Sequence, residues 1–249
     1  MRRVIFCTET SEIAGEHLDV LKTVMGIPQA QLLISIITIV LATSGAIVAW
    51  RTFIGSERWK EAEFLAREMK DFFGDPRVQT ALVMVDWGLR RIKLLEDSAQ
   101  DGGHVIVDRT MQVQALRPHV LLVRGSDEVG KGRFTREEAA IRDHYDALLD
   151  GLERFGNYVS TKLVRVENIR PYIGYWLDDI HSDAENAADA AWTAALLTYI
   201  DFYRYRGVQR LFKEAGKPID PSSEAYRKSL SQMEDRDLAA KFAECVKRT

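Results

Sequence analysis

LLISIITIVLATSGAIVAW, Leu32 to Trp50, carries no charge and is closed by Arg51. At about 1.5 Å per residue this run makes roughly 28 Å of helix, close to the hydrocarbon thickness of a bilayer. It has no polar face, whereas a helix of a globular core normally keeps one. The sequence therefore predicts a transmembrane helix over 29–51, a short leader over 1–28 and one large domain over 52–249. The run follows Glu12, Glu16 and Asp19 and not a short basic start, so a retained span is expected in place of a cleaved signal.

Positive charge near the ends of the run gives a direction. Lys22 stands upstream, against Arg51, Arg58, Lys60, Arg67 and Lys70 downstream, so the leader is expected outside and the domain in the cytoplasm. That topology parts Cys7 from Cys245 and excludes a disulfide between them. Neither cysteine has a partner at metal-site spacing, and no cofactor is expected.

The whole chain has 249 residues, with Lys and Arg (34) nearly matched by Asp and Glu (37). Its mean hydropathy of -0.19 shows the apolar run diluted by ordinary globular sequence. With no basic excess, nucleic acid is not an expected partner. The lipid bilayer is one, together with a protein partner or a second copy of the chain.

Periodicity along the remainder is mainly helical. In the leader, Ile13, His17, Val20, Leu21, Val24 and Met25 fit either a surface helix or a frayed terminus. Ala62, Leu65, Met69 and Phe72 extend the first helix to Gly74, and Asp75-Pro76 supplies an N-cap and first position for the next. Val78, Ala81, Leu82, Val85, Leu89, Ile92 and Leu95 then read as one stripe, the second arm of a helical hairpin beneath the membrane. Gly102-Gly103 breaks it, and His104 to Leu116 alternates enough for a short extended segment or β-hairpin. Thr135 and Glu138 form a capping box before the Ile141 to Phe155 stripe, and Ser182 with Glu185 a second one before Ala188 to Tyr203. Gly207 is expected to end or bend that helix. Between them a helix is expected over Asn168–Ile180, with Pro171 in its first turn. The tail restarts after Pro218 and Pro221. The expected fold is mainly α: one N-terminal transmembrane helix, then a cytoplasmic helical bundle.

Phe134 to Val159 (FTREEAAIRDHYDALLDGLERFGNYV), Ile169 to Ile180 (IRPYIGYWLDDI) and Gly74 to Trp87 (GDPRVQTALVMVDW) resemble an uncharacterised bacterial family in which one N-terminal membrane helix carries a cytoplasmic helical domain. The resemblance runs from the span to about Ile180, leaving out the leader and the tail after Gly207. It implies a bacterial plasma-membrane location, and brings no reaction with it.

Several clusters invite chemical readings. Gly125 to Gly132 approaches a phosphate loop, but Gly132 replaces the hydroxyl residue, Asp127 and Glu128 oppose an anion, and the helix start lies farther on, near Thr135. Asp178, Asp179, His181, Asp183 and Glu185 would serve a metal-dependent hydrolase if distant ligands joined them. They fail the calcium-loop pattern, since Ala184 and Ala190 stand where Gly and Glu are needed, and they suit the start of a helix. Arg204, Arg206 and Arg210 make a small basic patch beside Tyr199, Phe202 and Tyr203, whose rings continue a buried stripe.

Arg142, Asp143 and Asp146 form the candidate partner surface, with Arg142 and Asp146 at ion-pair spacing. Thr38, Ala42 and Ala46, with Gly45 and Ala49 on an adjoining face, allow close helix approach and are the candidates for self-association of the span. With no complete catalytic set, the expected function is a membrane-anchored interaction, sensor or effector protein, the hydrolase being the alternative.

Overall fold

The computed structural model describes residues 27–95, 101–121, 134–181 and 186–247. The chain divides into two compact units, Met1–Lys60 and Glu61–Thr249. Helix α1, Ile27–Gly74, contributes to both.

Within the first unit α1 is long and apolar enough to cross a membrane, and none of its apolar window is buried. Leu41 is 68% exposed and Trp50 66%. The hydroxyls in the run turn inward on their own helix: Thr38 donates to the Ile34 carbonyl at 2.8 Å and Ser44 to that of Val40 at 2.6 Å. Such bonds satisfy polar groups that would otherwise need water.

The second unit is mainly helical with one small antiparallel sheet. Leu65, Met69 and Phe72 bring the end of α1 into its core. Asp75 caps α2, Pro76–Asp86, accepting from Arg77 N at 2.8 Å. Val78, Ala81, Leu82 and Val85 are buried on α2 as the stripe predicts. The stripe does not continue: Trp87 is already extended, and Leu89–Lys93 is strand β1. Spacings from Val85 to Leu89 and Ile92 fit a helix, but a strand partner and a remote cap for the α2 carbonyls decide otherwise.

That partner is β2, His104–Asp108, in the register Leu89↔Asp108 to Lys93↔His104. Gly103 closes the hairpin at φ 80, and its carbonyl accepts from Leu94 N at 2.9 Å. A Cβ there would strike the Leu95 carbonyl, so the position requires glycine. The extended stretch ends sooner than alternation suggests, because Asp108 accepts from Met111 N and starts helix α3, Arg109–Leu116.

Helix α4, Arg136–Ser160, opens on the capping box: Glu138 N donates to Thr135 Oγ1 at 3.1 Å, and Thr135 N to Glu138 Oε2 at 3.0 Å. Helix α5 is Val166–His181, starting two residues before the expected Asn168, so that Pro171 lies inside it and not in its first turn. Proline costs one backbone bond to the Glu167 carbonyl. The start is held from elsewhere: Glu61 accepts from Arg165 N at 3.0 Å and from Asn168 Nδ2 at 2.6 Å. Burial alone would raise the Glu61 carboxyl, but these bonds and the Arg165 charge bring it below its usual value.

Helix α6, Ala187–Phe202, is capped by Asn186, which accepts from Ala188 N and Asp189 N. The expected box at Ser182 and Glu185 lies outside the described residues. Ala190 and Trp192 through Asp201 are all buried, so α6 is a central helix without a solvent stripe. Helices α7 (Arg206–Glu214), α8 (Glu224–Gln232) and α9 (Arg236–Lys247) complete the fold. Helix α6 packs against α3, α8 and α9, while α4 packs against α2, α3 and α7. Gly207 lies inside α7, after α6 has ended. It meets Gly156 of α4 so closely that a Cβ on Gly156 would strike the Gly207 carbonyl. Lacking a side-chain cap of its own, α7 takes one from α4, where Glu153 accepts from Val208 N at 2.9 Å.

Candidate functional site

Polar chemistry converges most densely around Arg109, the first residue of α3. Its guanidinium lies 4.0 Å from the Trp192 ring centroid. It donates to Asp189 Oδ1 and the Met84 carbonyl at 2.8 Å, and to Gln112 Oε1 and the Val85 carbonyl at 3.0 Å. Two of those acceptors are final carbonyls of α2, so Arg109 caps a helix that precedes it by a whole hairpin. Gln112 Oε1 also accepts from the Tyr145 hydroxyl, which itself accepts from Trp192 Nε1, each at 2.9 Å. Burial holds the Tyr145 phenol well above its ordinary range.

A cleft of about 720 Å³ opens beside this network, and Asp86, Asp108, Asp179 and Asp189 line it with Arg109 and Trp192. Partial desolvation raises the Asp86 carboxyl, and the Arg90 charge opposes the shift. The cleft attracts cations and hydrogen-bond donors. Asp189 is already engaged by Arg109 and Asp108 by the α3 backbone. Its described lining includes the Thr110 and Thr193 hydroxyls but neither histidine nor cysteine. Sequence reasoning missed Arg109, Gln112, Asp189 and Trp192 as a group. The only local signal is the Asp108 cap placing Arg109 at a helix start.

The acidic run near the end of α5 is divided. Asp178 binds Lys217 Nζ at 2.6 Å, which lowers its carboxyl below the usual range, while Asp179 faces the cleft. Asp183 and Glu185 lie outside the described residues, as do Gly125 to Gly132. Among the described residues, no three His, Cys, Asp or Glu side chains form a metal-ligand group.

The candidate partner surface is placed unevenly. Arg142 reaches under α3 and donates to the Ala115 and Arg117 carbonyls at 3.3 and 3.2 Å. Its guanidinium also lies within 4.9 Å of the Phe134, Tyr199 and Tyr203 ring centroids. Asp146 accepts from the Tyr199 and Tyr205 hydroxyls. Burial and that carboxylate hold both phenols far above their usual range. Asp143 alone of the three is exposed.

Asp143 and Asp146 also line an acidic groove of about 710 Å³ with Asp75, Asp150 and Glu153, edged by Arg77 and Arg154. Desolvation raises the Asp150 carboxyl, the Asp146 charge adds to it, and Arg154 counters. In the basic patch, Arg206 is bound to Asp201 at 3.2 Å, while Arg204 and Arg210 are exposed. On α1, Thr38, Ala42, Gly45, Ala46 and Ala49 are exposed, and nothing lies within 4 Å of a Cβ built on Gly45. Set beside known proteins, the chain matches no family model, no curated protein and no solved structure.

Proposed function

We propose that this chain is a membrane-anchored helical interaction protein, held in the bilayer by α1 and acting without catalysis through protein contacts or oligomerisation. The observation that carries the reading is the uniform exposure of the apolar window of α1. A core helix would bury such a surface, and lipid is the solvent that suits it. A second support is where the polar side chains go. Arg109, Arg142, Asp146 and Glu153 each hold a helix end or a buried hydroxyl, and are not arrayed around a reacting centre.

The basic residues after the run favour a cytoplasmic second unit, and the family resemblance of the sequence favours a bacterial plasma membrane. Asp143 and the acidic groove beside it supply the partner surface; Thr38, Ala42, Gly45, Ala46 and Ala49 supply the face for self-association. Alkaline extraction of native membranes tests the anchor, and release of the chain into the soluble fraction would refute it. Crosslinking in the same membranes is expected to trap a dimer that Ala42→Leu and Ala46→Leu weaken. A monomer in every sample, combined with co-purification unchanged by Asp143→Lys, would refute the interaction reading.

A further inference from the structure

The first unit carries exposed aromatic side chains at the end of its apolar run and beyond it: Trp50 at 66%, Phe53 at 59% and Trp59 at 71%. Trp50 and Phe53 lie together, their ring centroids 6.5 Å apart. No acidic residue occurs between Gln31 and Ser56, and the charge within this stretch is Arg51. Farther on, Lys60 is engaged by Glu57 at 2.8 Å.

At about 1.5 Å per residue, Leu32 to Phe53 spans roughly 31 Å, the thickness of a hydrocarbon core. Trp59 lies about 13 Å beyond Trp50 on that scale, outside the same boundary. Indole rings favour the membrane-water interface, and arginine reaches outward from it to phosphate.

We infer that Trp50 and Phe53, with Arg51 reaching lipid phosphate, form an interfacial belt that sets the depth of α1, and that Trp59 stands beyond it in the outer headgroup layer or water. The ligand is the phosphate layer of a phospholipid bilayer, with Arg58 as a second contact to it. This rests on the membrane-spanning reading proposed above. The belt adds a boundary that the length of the apolar run does not fix, because a span of this length can slide or tilt.

Labelling of single cysteines by a membrane-impermeant maleimide tests it. The full chain, with Cys7→Ser and Cys245→Ser, is placed in nanodiscs of mixed phosphatidylcholine and phosphatidylglycerol, which leave both faces open. Expected are protection of Gly45→Cys, fast reaction of Trp59→Cys, and a rate for Phe53→Cys about tenfold below that of Trp59→Cys. Adding Trp50→Ala and Arg51→Gln is expected to change the rate at position 53 by about threefold or more and leave position 45 protected. With position 45 protected, a position 53 that matches either neighbour, or ignores the double substitution, overturns the belt and leaves the span standing. Fast labelling at position 45 overturns the span itself.

Discussion

Arg109 binds four acceptors on three helices with a side chain 11% exposed. Removing it takes the side-chain donor from two helix-terminal carbonyls and leaves the Asp189 carboxylate with its Asn186 bond but without its charge partner. Arg109→Met is expected to cost about 2–3 kcal/mol in urea unfolding, below the range for breaking a fully buried pair because Asp189 is partly solvated and keeps Asn186. The neighbours Arg142 and Asp143 separate two roles that sequence gave to one surface. Arg142→Ala, which empties a position among three rings, is expected to cost about 2–4 kcal/mol, whereas Asp143→Ala stays within about 0.5 kcal/mol. Equal losses would show Asp143 to be structural as well.

Asp75 gives a dependence on acidity. The Arg77 side chain and backbone N-H hold its carboxyl below the usual value. A depressed folded value means that its contribution is present above the unfolded carboxylate range, near 3.9, and is lost as pH falls through the folded value. Asp75→Asn keeps a capping oxygen without the charge. Its acid unfolding curve is expected to be flatter than that of the parent in this region, and an identical slope would remove Asp75 from the account.

At the scale of elements, the crossing of α4 and α7 is the most demanding contact, since backbone meets backbone at Gly156 and Gly207. Gly156→Ala and Gly207→Ala are each expected to destabilise by about 1–3 kcal/mol, as overpacking does, against near-neutral Gly45→Ala where nothing is close. Thr135→Ala is expected to cost about 1 kcal/mol through loss of the capping box. Thermal unfolding of the four variants orders them.

What sequence reveals follows how local its cause is. The Asp75-Pro76 start and the Thr135 box rest on residues within one turn of each other, and both stand in the structure, whereas Gly102-Gly103 turns a β-hairpin and ends no helix. Elements whose ends are fixed from afar depart from their local pattern. Helix α2 is stopped where Arg109 takes its carbonyls, and α5 starts early because Glu61 holds Arg165 and Asn168. The same limit hid the polar network, whose members Met84, Arg109, Tyr145 and Trp192 come from four separate helices.

For the whole molecule, α6 is buried from Trp192 to Asp201, and α3, α7, α8 and α9 pack on it. Burial there pushes the Tyr226 phenol up to about 12, against the opposing effect of its hydrogen bond with Thr198. Deletion of everything after Lys217 would uncover apolar surface that no other segment of the unit replaces. Such a chain is expected to lose cooperative unfolding and to bind a hydrophobic dye; retention of a sharp transition would show the first seven helices to be self-sufficient.

The composition of α6 has a consequence for sorting during synthesis. Asp189 and Asp201 bracket its apolar stretch, and each is paired in the folded unit, with Arg109 and Arg206. Before folding they are bare charges, and between them lies roughly 16 Å of apolar helix, about half of what a bilayer core requires. On the membrane-spanning reading proposed for α1, the insertion machinery is thus offered a second apolar helix too short to keep. Replacing both aspartates with leucine would make α6 a competitor for the membrane, detectable as a glycosylation tag carried across at the C-terminus.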